Sequence, residues 1–351
     1  MKQYLQHACY MVLTIGLAVA IVSFLTQRTI RAINDEMDFK RQIISLHVAK
    51  ITEVKRHPDI MAFVGEKNDK LYFQTVFPNK IIVIDTQLQR MNDVIFNVPS
   101  DDRTSSMFSI ILTDTGANIM ACNLPAIFEV NWQSPVAKIR RFPQKSFSRV
   151  VSISENTYVF RGRDTSIKSR DQIFFKGNPY IGITRRENGV SRKTGDLGLS
   201  TDGTLSYDNC NNLLVYVPFY GNKFIAMDTN LNKVYEVTTV NYKSKTIATA
   251  GYAESNDSRV ITNIGPKRVL NEVSLIDCGT LYIKSTARCK TQDEITFKTN
   301  STIDMYDVKD GQYKGTFYIP NHNDEEVLQF TIIGRKVLAL YKTNIVLYEI
   351  A

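Results

Sequence analysis

The sequence predicts an all-β protein: a single β-propeller placed behind an N-terminal apolar helix. Three observations predict it. Tyr and Phe are abundant (17 and 18 residues) among many Val, Ile and Thr, the side chains that suit a pleated, half-buried surface. Short apolar runs alternate with Asn-, Asp- and Gly-containing turns along most of the chain. One twelve-residue string, Asn79 to Arg90, returns as Asn222 to Lys233 with six identities. A strand–turn–strand unit recurring at a regular spacing marks a radial or solenoid architecture.

The N-terminus is a separate element. Residues Ala8 to Thr26 carry no charge, and at about 1.5 Å per residue they nearly span a hydrocarbon core of about 30 Å. Residues 1–27 are therefore read as a signal anchor or transmembrane helix. Ala18-Val19-Ala20 resembles a signal-peptidase site, so a cleaved, secreted form is the alternative. The apolar run continues through Ile21 to Leu25, which favours retention as an anchor. Arg28, Arg31, Lys40 and Arg41 lie just after the span and favour a cytoplasmic domain by the positive-inside tendency. A signal-like segment at the N-terminus commonly exports the domain behind it, and long domains translocate largely regardless of charge, so an extracytoplasmic (periplasmic) domain is expected. Residues 28–42 read as a juxtamembrane connector, with a short capped helix beginning at Asn34-Asp35-Glu36.

Residues 43–351 read as the propeller domain. Leu71–Phe77, Met107–Leu112, Val150–Ile153, Leu213–Tyr220, Thr302–Asp307 and Lys336–Tyr341 each precede a polar turn or a second apolar run. Asp310-Gly311 is a hairpin signal. Asp85 to Asp228 spans 143 residues and Asp228 to Asp307 spans 79. A unit of about 40–48 residues divides these into about three and two. Seven blades are expected on that count, with six or eight as alternatives. A pair of β-sandwiches is the competing architecture, but no Pro- or Gly-rich linker divides the region. The chain ends in strand-like Ile345–Ile350, suited to closing a ring against a strand near residues 43–66.

The units at 79–90 and 222–233 resemble those of bacterial envelope β-propellers, six- to eight-bladed rings behind an N-terminal signal or anchor. The resemblance covers residues 43–351 as architecture. It implies a ring that binds proteins, peptides or glycans, or that acts as an enzyme. The chain lacks the Trp-Asp and Gly-His pairs of WD40 blades and the double glycine of kelch blades.

Charge is regional. Between Lys138 and Lys193 stand 14 basic residues against four acids; the remainder of the chain is close to neutral. Arg161, Arg163, Arg185 and Arg186 are the candidate binding residues of a basic face, interleaved with Phe160, Phe174, Phe175 and Tyr180. A solvated surface without a partner is the plain alternative. With no nucleic-acid-binding motif, a protein or peptide partner is expected, or an anionic surface or glycan.

No catalytic residue stands out. Asp85, Asp228 and Asp307 end strands before polar turns and are read as turn caps, because Asp side chains accept backbone hydrogen bonds there. His47, His57 and His322 form no catalytic or metal pattern. His57-Pro58-Asp59 matches the J-domain tripeptide, but the strand-like Ile60–Val64 does not supply that family's helical hairpin. No metal or cofactor is expected. Among the cysteines, Cys278 and Cys289 are candidates to pair across a hairpin; buried free thiols are the alternative. The sequence thus points to a membrane-tethered, non-enzymatic propeller in the cell envelope that binds a protein or peptide partner. The alternative is a hydrolase or lyase acting on a glycan or lactone at the central channel.

Overall fold

The computed structural model describes residues 2–46, 48–98, 107–124, 126–141, 146–163, 171–244, 250–255, 258–263 and 268–350. Six four-stranded antiparallel sheets form the blades among these residues. Blade one is β2 (Ile60–Lys67), β3 (Lys70–Thr75), β4 (Lys80–Asp85) and β5 (Met91–Ile95). Blade two is β6 (Phe108–Leu112), β7 (Gly116–Ala121), β8 (Ala126–Asn131) and β9 (Ser134–Arg141). Blade three is β10 (Phe147–Ser154), β11 (Thr157–Arg163), β12 (Gln172–Asn178) and β13 (Gly182–Arg186). Blade four is β14 (Gly203–Asp208), β15 (Leu213–Pro218), β16 (Lys223–Asp228) and β17 (Lys233–Thr238). A hairpin, β18 (Ala250–Ser255) and β19 (Ser258–Asn263), precedes blade five. That blade is β20 (Asn271–Asp277), β21 (Thr280–Ser285), β22 (Asn300–Asp307) and β23 (Tyr313–Pro320). Blade six is β24 (Gln329–Ile333), β25 (Lys336–Leu340) and β26 (Asn344–Ile350), completed by the chain's first strand, β1 (Val48–Lys55). The innermost strands β2, β6, β10, β14, β20 and β24 contact one another in a closed circle.

Six blades replace the seven expected from spacing. Asp85 and Asp228 end the third strands of blades one and four, so 143 residues do span three units. Asp307 ends the third strand of blade five, so the next 79 residues span one unit rather than two. The extra length is the β18–β19 insertion and the excursion between β21 and β22, which contains helix α2 (Glu294–Thr299). Ring closure agrees with the expected plan, with β1 and β26 pairing antiparallel from Val48–Ile350 to Lys55–Asn344.

The duplicated string encodes one turn used twice. Asp85 accepts hydrogen bonds from the Gln87, Gln89 and Arg90 amides, and Asp228 from those of Asn230 and Asn232. Leu88 and Leu231 both adopt the left-handed conformation (φ 59° and 63°) and are both buried. Leu88 packs with blade six through Leu338 and Leu347, and Leu231 packs with blade three through Val159 and Phe174. The left-handed backbone costs roughly 1–2 kcal/mol for a non-glycine residue, which burial of a leucine, worth about 1.5–3 kcal/mol, offsets. Turn capping by the aspartates agrees with the sequence reading; Asp307 likewise accepts from Lys309 N at 2.8 Å.

Partial burial raises the pKa of Asp228, but hydrogen bonds from Asn232 and Asn230 outweigh that and hold it below the ordinary carboxylate value. Its ionised form therefore contributes stability above the unfolded pKa, and the contribution is lost as pH falls through the lowered folded value. Asp228→Ala is expected to destabilise the ring by about 1–2 kcal/mol at neutral pH, by analogy with lost side-chain caps. The difference from the parent protein should shrink below about pH 4 in urea titrations, where the unfolded carboxyl is also protonated.

Cys278 pairs with Cys210 and not with Cys289, so of the two alternatives the free buried thiol holds for Cys289. Cys210 lies just after β14 and Cys278 just after β20, so the disulfide joins the first turns of two neighbouring blades, with Cα atoms 5.3 Å apart. Buried Asp208 supports the same junction, accepting from Cys210 N and Gly279 N. Cys289 is a buried free thiol, as is Cys122, whose pKa burial pushes up to about 12.

Helix α1 runs without interruption over Lys2–Glu36, so no separate short helix begins at Asn34. Its apolar side chains Tyr10, Met11 and those from Leu13 to Leu25 face outward, and its 24-residue candidate span Leu13–Glu36 buries none of its most apolar window. After Glu36 the connector is fastened to the ring. Phe39 is buried, Ile44 N donates to Thr316 O, and Thr316 N donates to Gln42 O, so the connector runs beside β23. Arg41 enters blade five with its guanidinium surrounded by acceptors. Its Nε and Nη2 hold the two carboxylate oxygens of Asp304 at 2.8 and 3.0 Å. The remaining donors reach Ala287 O, Gln292 Oε1 and Ser285 Oγ.

Candidate anion-binding site between blades three and four

A cavity of about 460 Å³ opens between blades three and four on the face that carries the blade-to-blade connections. Three segments build it. Strand β11 brings Arg161 and strand β12 brings Phe174; the connection 187–202 supplies Val190, Arg192, Thr194 and Thr201; blade four supplies Tyr216, Tyr220, Lys223, Lys233 and Glu236.

The connection 187–202 is held by Asp171 and by two acids of its own. Asp171 accepts from the amides of Thr194 and Gly195, and Asp196 from those of Gly198 and Ser200. Glu187 accepts from the Ser191 amide and hydroxyl, both at 2.9 Å. Burial raises the pKa of Glu187, against the pull of those bonds. These carboxylates are turned onto backbone donors, whereas Arg192 and Lys193 remain exposed. The local excess of positive charge at the surface results from that division. At the cavity wall Glu236 is the acid facing Lys223, at 2.6 Å, with Lys233 and Arg192 also in electrostatic range. The hydrogen bond from Lys223 is the main cause of its lowered pKa.

Arg161 sits beneath this rim and is 1% exposed. Its guanidinium lies 4.9 Å from the centre of the Tyr216 ring and donates to Gln172 Oε1 and to both oxygens of Thr201. Asp202 stands 3.6 Å away and also takes Arg149 at 2.9 Å, leaving one carboxylate between two guanidinium groups. Arg161 Nε has no hydrogen-bond partner. Tyr216 donates to Thr201 O at 2.6 Å, and burial raises its pKa. Arg161→Glu is expected to lower stability by about 3–5 kcal/mol, because it removes a buried cation and sets a second carboxylate beside Asp202. Chemical denaturation checks this.

The structure therefore separates the four arginines singled out in the sequence. Arg161 is interior; Arg163 ends β11 and is exposed; Arg185 and Arg186 are exposed on the outer strand β13. Arg185 donates to Asn232 Oδ1 in the repeated turn of blade four. The wider basic segment is also divided, since Arg140 on β9 pairs with Glu129 and lies 4.4 Å over the Tyr180 ring. Lys145, Lys168 and Arg170 lie outside the described residues. Sequence reading missed Tyr216, Tyr220, Lys223 and Lys233. The available signal was that the second repeat copy, unlike the first, comes directly after the basic segment.

A second cavity, also of about 460 Å³, lies on the opposite face and is lined by Glu66, Asp114, Asn118, Glu155 and Tyr158 from blades one to three. Its polar groups engage one another: Lys67 holds Asp114 at 2.9 Å, and Asn118 donates to the Tyr158 hydroxyl at 2.7 Å.

These features define a six-bladed propeller with a cationic, aromatic-walled cavity between two blades. No protein-family profile matches the chain, and no curated protein matches it. Solved structures match in fold. A Bacteroides fragilis protein assigned as exported is 10% identical, with a TM-score of 0.50, covering 90% of this chain and 99% of its own. A DUF4221-family member from Bacteroides vulgatus is 8% identical (TM-score 0.49), covering 87% of this chain and 98% of its own. Virginiamycin B lyase from Staphylococcus aureus is 10% identical (TM-score 0.47), covering 88% of this chain and 100% of its own. At these identities the likeness is one of fold alone.

Proposed function

We propose that this protein is a membrane-anchored, non-enzymatic propeller whose ring lies on the extracytoplasmic side and binds a protein or peptide partner through an acidic segment. The observation that carries the reading is the blade three–four cavity: aromatic walls, a buried arginine, and a rim where Arg192, Lys223 and Lys233 meet a single carboxylate. Field lines converge in such a cleft, and a desolvated aromatic floor favours an anionic group borne on an apolar or planar body. The outward apolar face of α1 supports the anchor, and the Cys210–Cys278 disulfide supports an oxidising compartment.

The test uses exposed residues only. Replacing Arg185, Arg186, Arg192 and Lys233 by Glu is expected to abolish recovery of a specific partner from native membranes, with the β fold retained by circular dichroism. Equal recovery by parent and variant would contradict the assignment of this surface. Salt is an independent check: if rim cations drive recognition, raising ionic strength from about 0.05 to about 0.5 M should weaken binding at least tenfold.

A further inference from the structure

We infer that the cavity between the end of α1 and blade five binds the headgroup of an anionic phospholipid. This rests on the proposed membrane anchoring. The cavity, about 650 Å³ in volume, has one wall made by the last turns of α1 (Arg28, Thr29, Ala32, Ile33) and the other by the ring. The ring contributes Arg268 and Arg288, the hydroxyl residues Ser244 and Thr286, and Phe297.

The walls are held together by side chains and backbone. Arg268 pairs with Glu36, Lys243 pairs with Asp38, and Lys290 N donates to Met37 O at 2.8 Å. The helix end is thus docked on blade five and not suspended on a loose tether. Among the described lining residues three arginines face one acid, Glu36, which Arg268 already engages. Arg288 pairs with Glu294 at 3.0 Å, and Arg28 has no ion pair among the described residues. The lining therefore offers guanidinium groups in excess of acids, and the planar guanidinium fork matches phosphate geometry. Apolar surface lies beside them, whereas the Thr29, Ser244 and Thr286 hydroxyls donate to the backbone carbonyls of Leu25, Glu36 and Val269 and leave the guanidinium groups as the phosphate donors.

Depth selects a lipid as the source of that phosphate. The charge-free run Ala8–Thr26 is 19 residues, about 28 Å of helix, and fills the hydrocarbon layer. Arg28 and Thr29 come two and three residues later and fall in the headgroup layer, roughly 5–8 Å thick on each side. An acyl chain can run down the helix while its phosphate enters the cavity. The same placement gives a use to cations that, on the non-cytoplasmic side, run against the positive-inside tendency.

The test uses full-length protein in detergent micelles, titrated with phosphatidylglycerol, phosphatidylcholine or glycerol 1-phosphate and read by native mass spectrometry. Phosphatidylglycerol is expected to be retained at least fivefold over phosphatidylcholine, and the Arg268→Gln, Arg288→Gln double variant is expected to abolish that preference. Arg28→Gln alters only the helix surface and should lower the preference two- to threefold without changing the melting temperature. Equal retention of the two lipids, or glycerol 1-phosphate binding as tightly as the lipid, would overturn the inference; so would an unchanged preference in Arg28→Gln. Alkaline carbonate extraction of native membranes separates anchoring from headgroup binding. Release of the protein refutes the anchor itself, whereas a retained protein without lipid preference refutes the headgroup site alone.

Discussion

Arg41→Ala is expected to destabilise the ring by about 3–5 kcal/mol, the range seen when one partner of a buried ion pair is removed. Asp304, 2% exposed in the parent protein, would keep, among the described residues, the neutral partner Thr316, whose hydroxyl donates to it at 2.5 Å. Three further acceptors, Ala287 O, Gln292 Oε1 and Ser285 Oγ, would lose a charged donor together. Burial alone would favour the neutral form of Arg41, but the charge of Asp304 and its hydrogen bonds reverse that and raise its pKa above the ordinary value. Arg41 therefore keeps its charge throughout the range in which the protein can be handled. Paired replacement separates charge from packing: Arg41→Met with Asp304→Leu should recover most of the loss, since apolar substitutes for buried pairs are often neutral or better. Guanidinium unfolding followed by circular dichroism measures both. A loss below about 1 kcal/mol in the single variant would mean that the connector is not fastened to blade five.

Reduction of Cys210–Cys278, or Cys278→Ser, is expected to cost up to about 4 kcal/mol, the loop-closure value for a 68-residue separation. The two half-cystines join turns on adjacent blades, so the loss should appear first as separation of blades four and five, not as collapse of the whole ring. Amide exchange in β14 and β20 should rise under reducing conditions while that in β3 and β7 stays slow. Uniform acceleration across all blades would contradict this local role. Cys289→Ser, a change at a buried free thiol, should leave the response to reductant unaltered.

Much of the ring was readable because its signals are local. Alternation of apolar residues and Asn/Asp turns placed most strands, and the duplicated string identified a turn whose aspartate caps it and whose leucine packs onto the preceding blade. Blade number was not readable from period alone, because insertions such as β18–β19 lengthen a unit without adding one. The pairing of Cys278 was not readable for a related reason. Cys278 and Cys289 are near in sequence, but strand β21 carries the chain across the blade between them, whereas Cys210 occupies the corresponding turn of the neighbouring blade. In the candidate site, net charge pointed to the right segment but not to which cations reach solvent. Arg161 and Arg185 look alike in sequence. β11 is an inner strand buried on both faces from Tyr158 to Gly162, which encloses the first, and the edge position of β13 exposes the second.

Recognition of a partner at the blade three–four cavity is tested most directly by site-specific photocrosslinking in native membranes. A photoreactive residue at Tyr220, on the cavity wall, is compared with one at Gln312, in the turn on the opposite face of blade five. A discrete adduct is expected from position 220, absent from position 312 and lost when Arg192 and Lys233 are changed to Glu. The same adduct from both positions, or one from position 220 that survives the charge reversals, would contradict it.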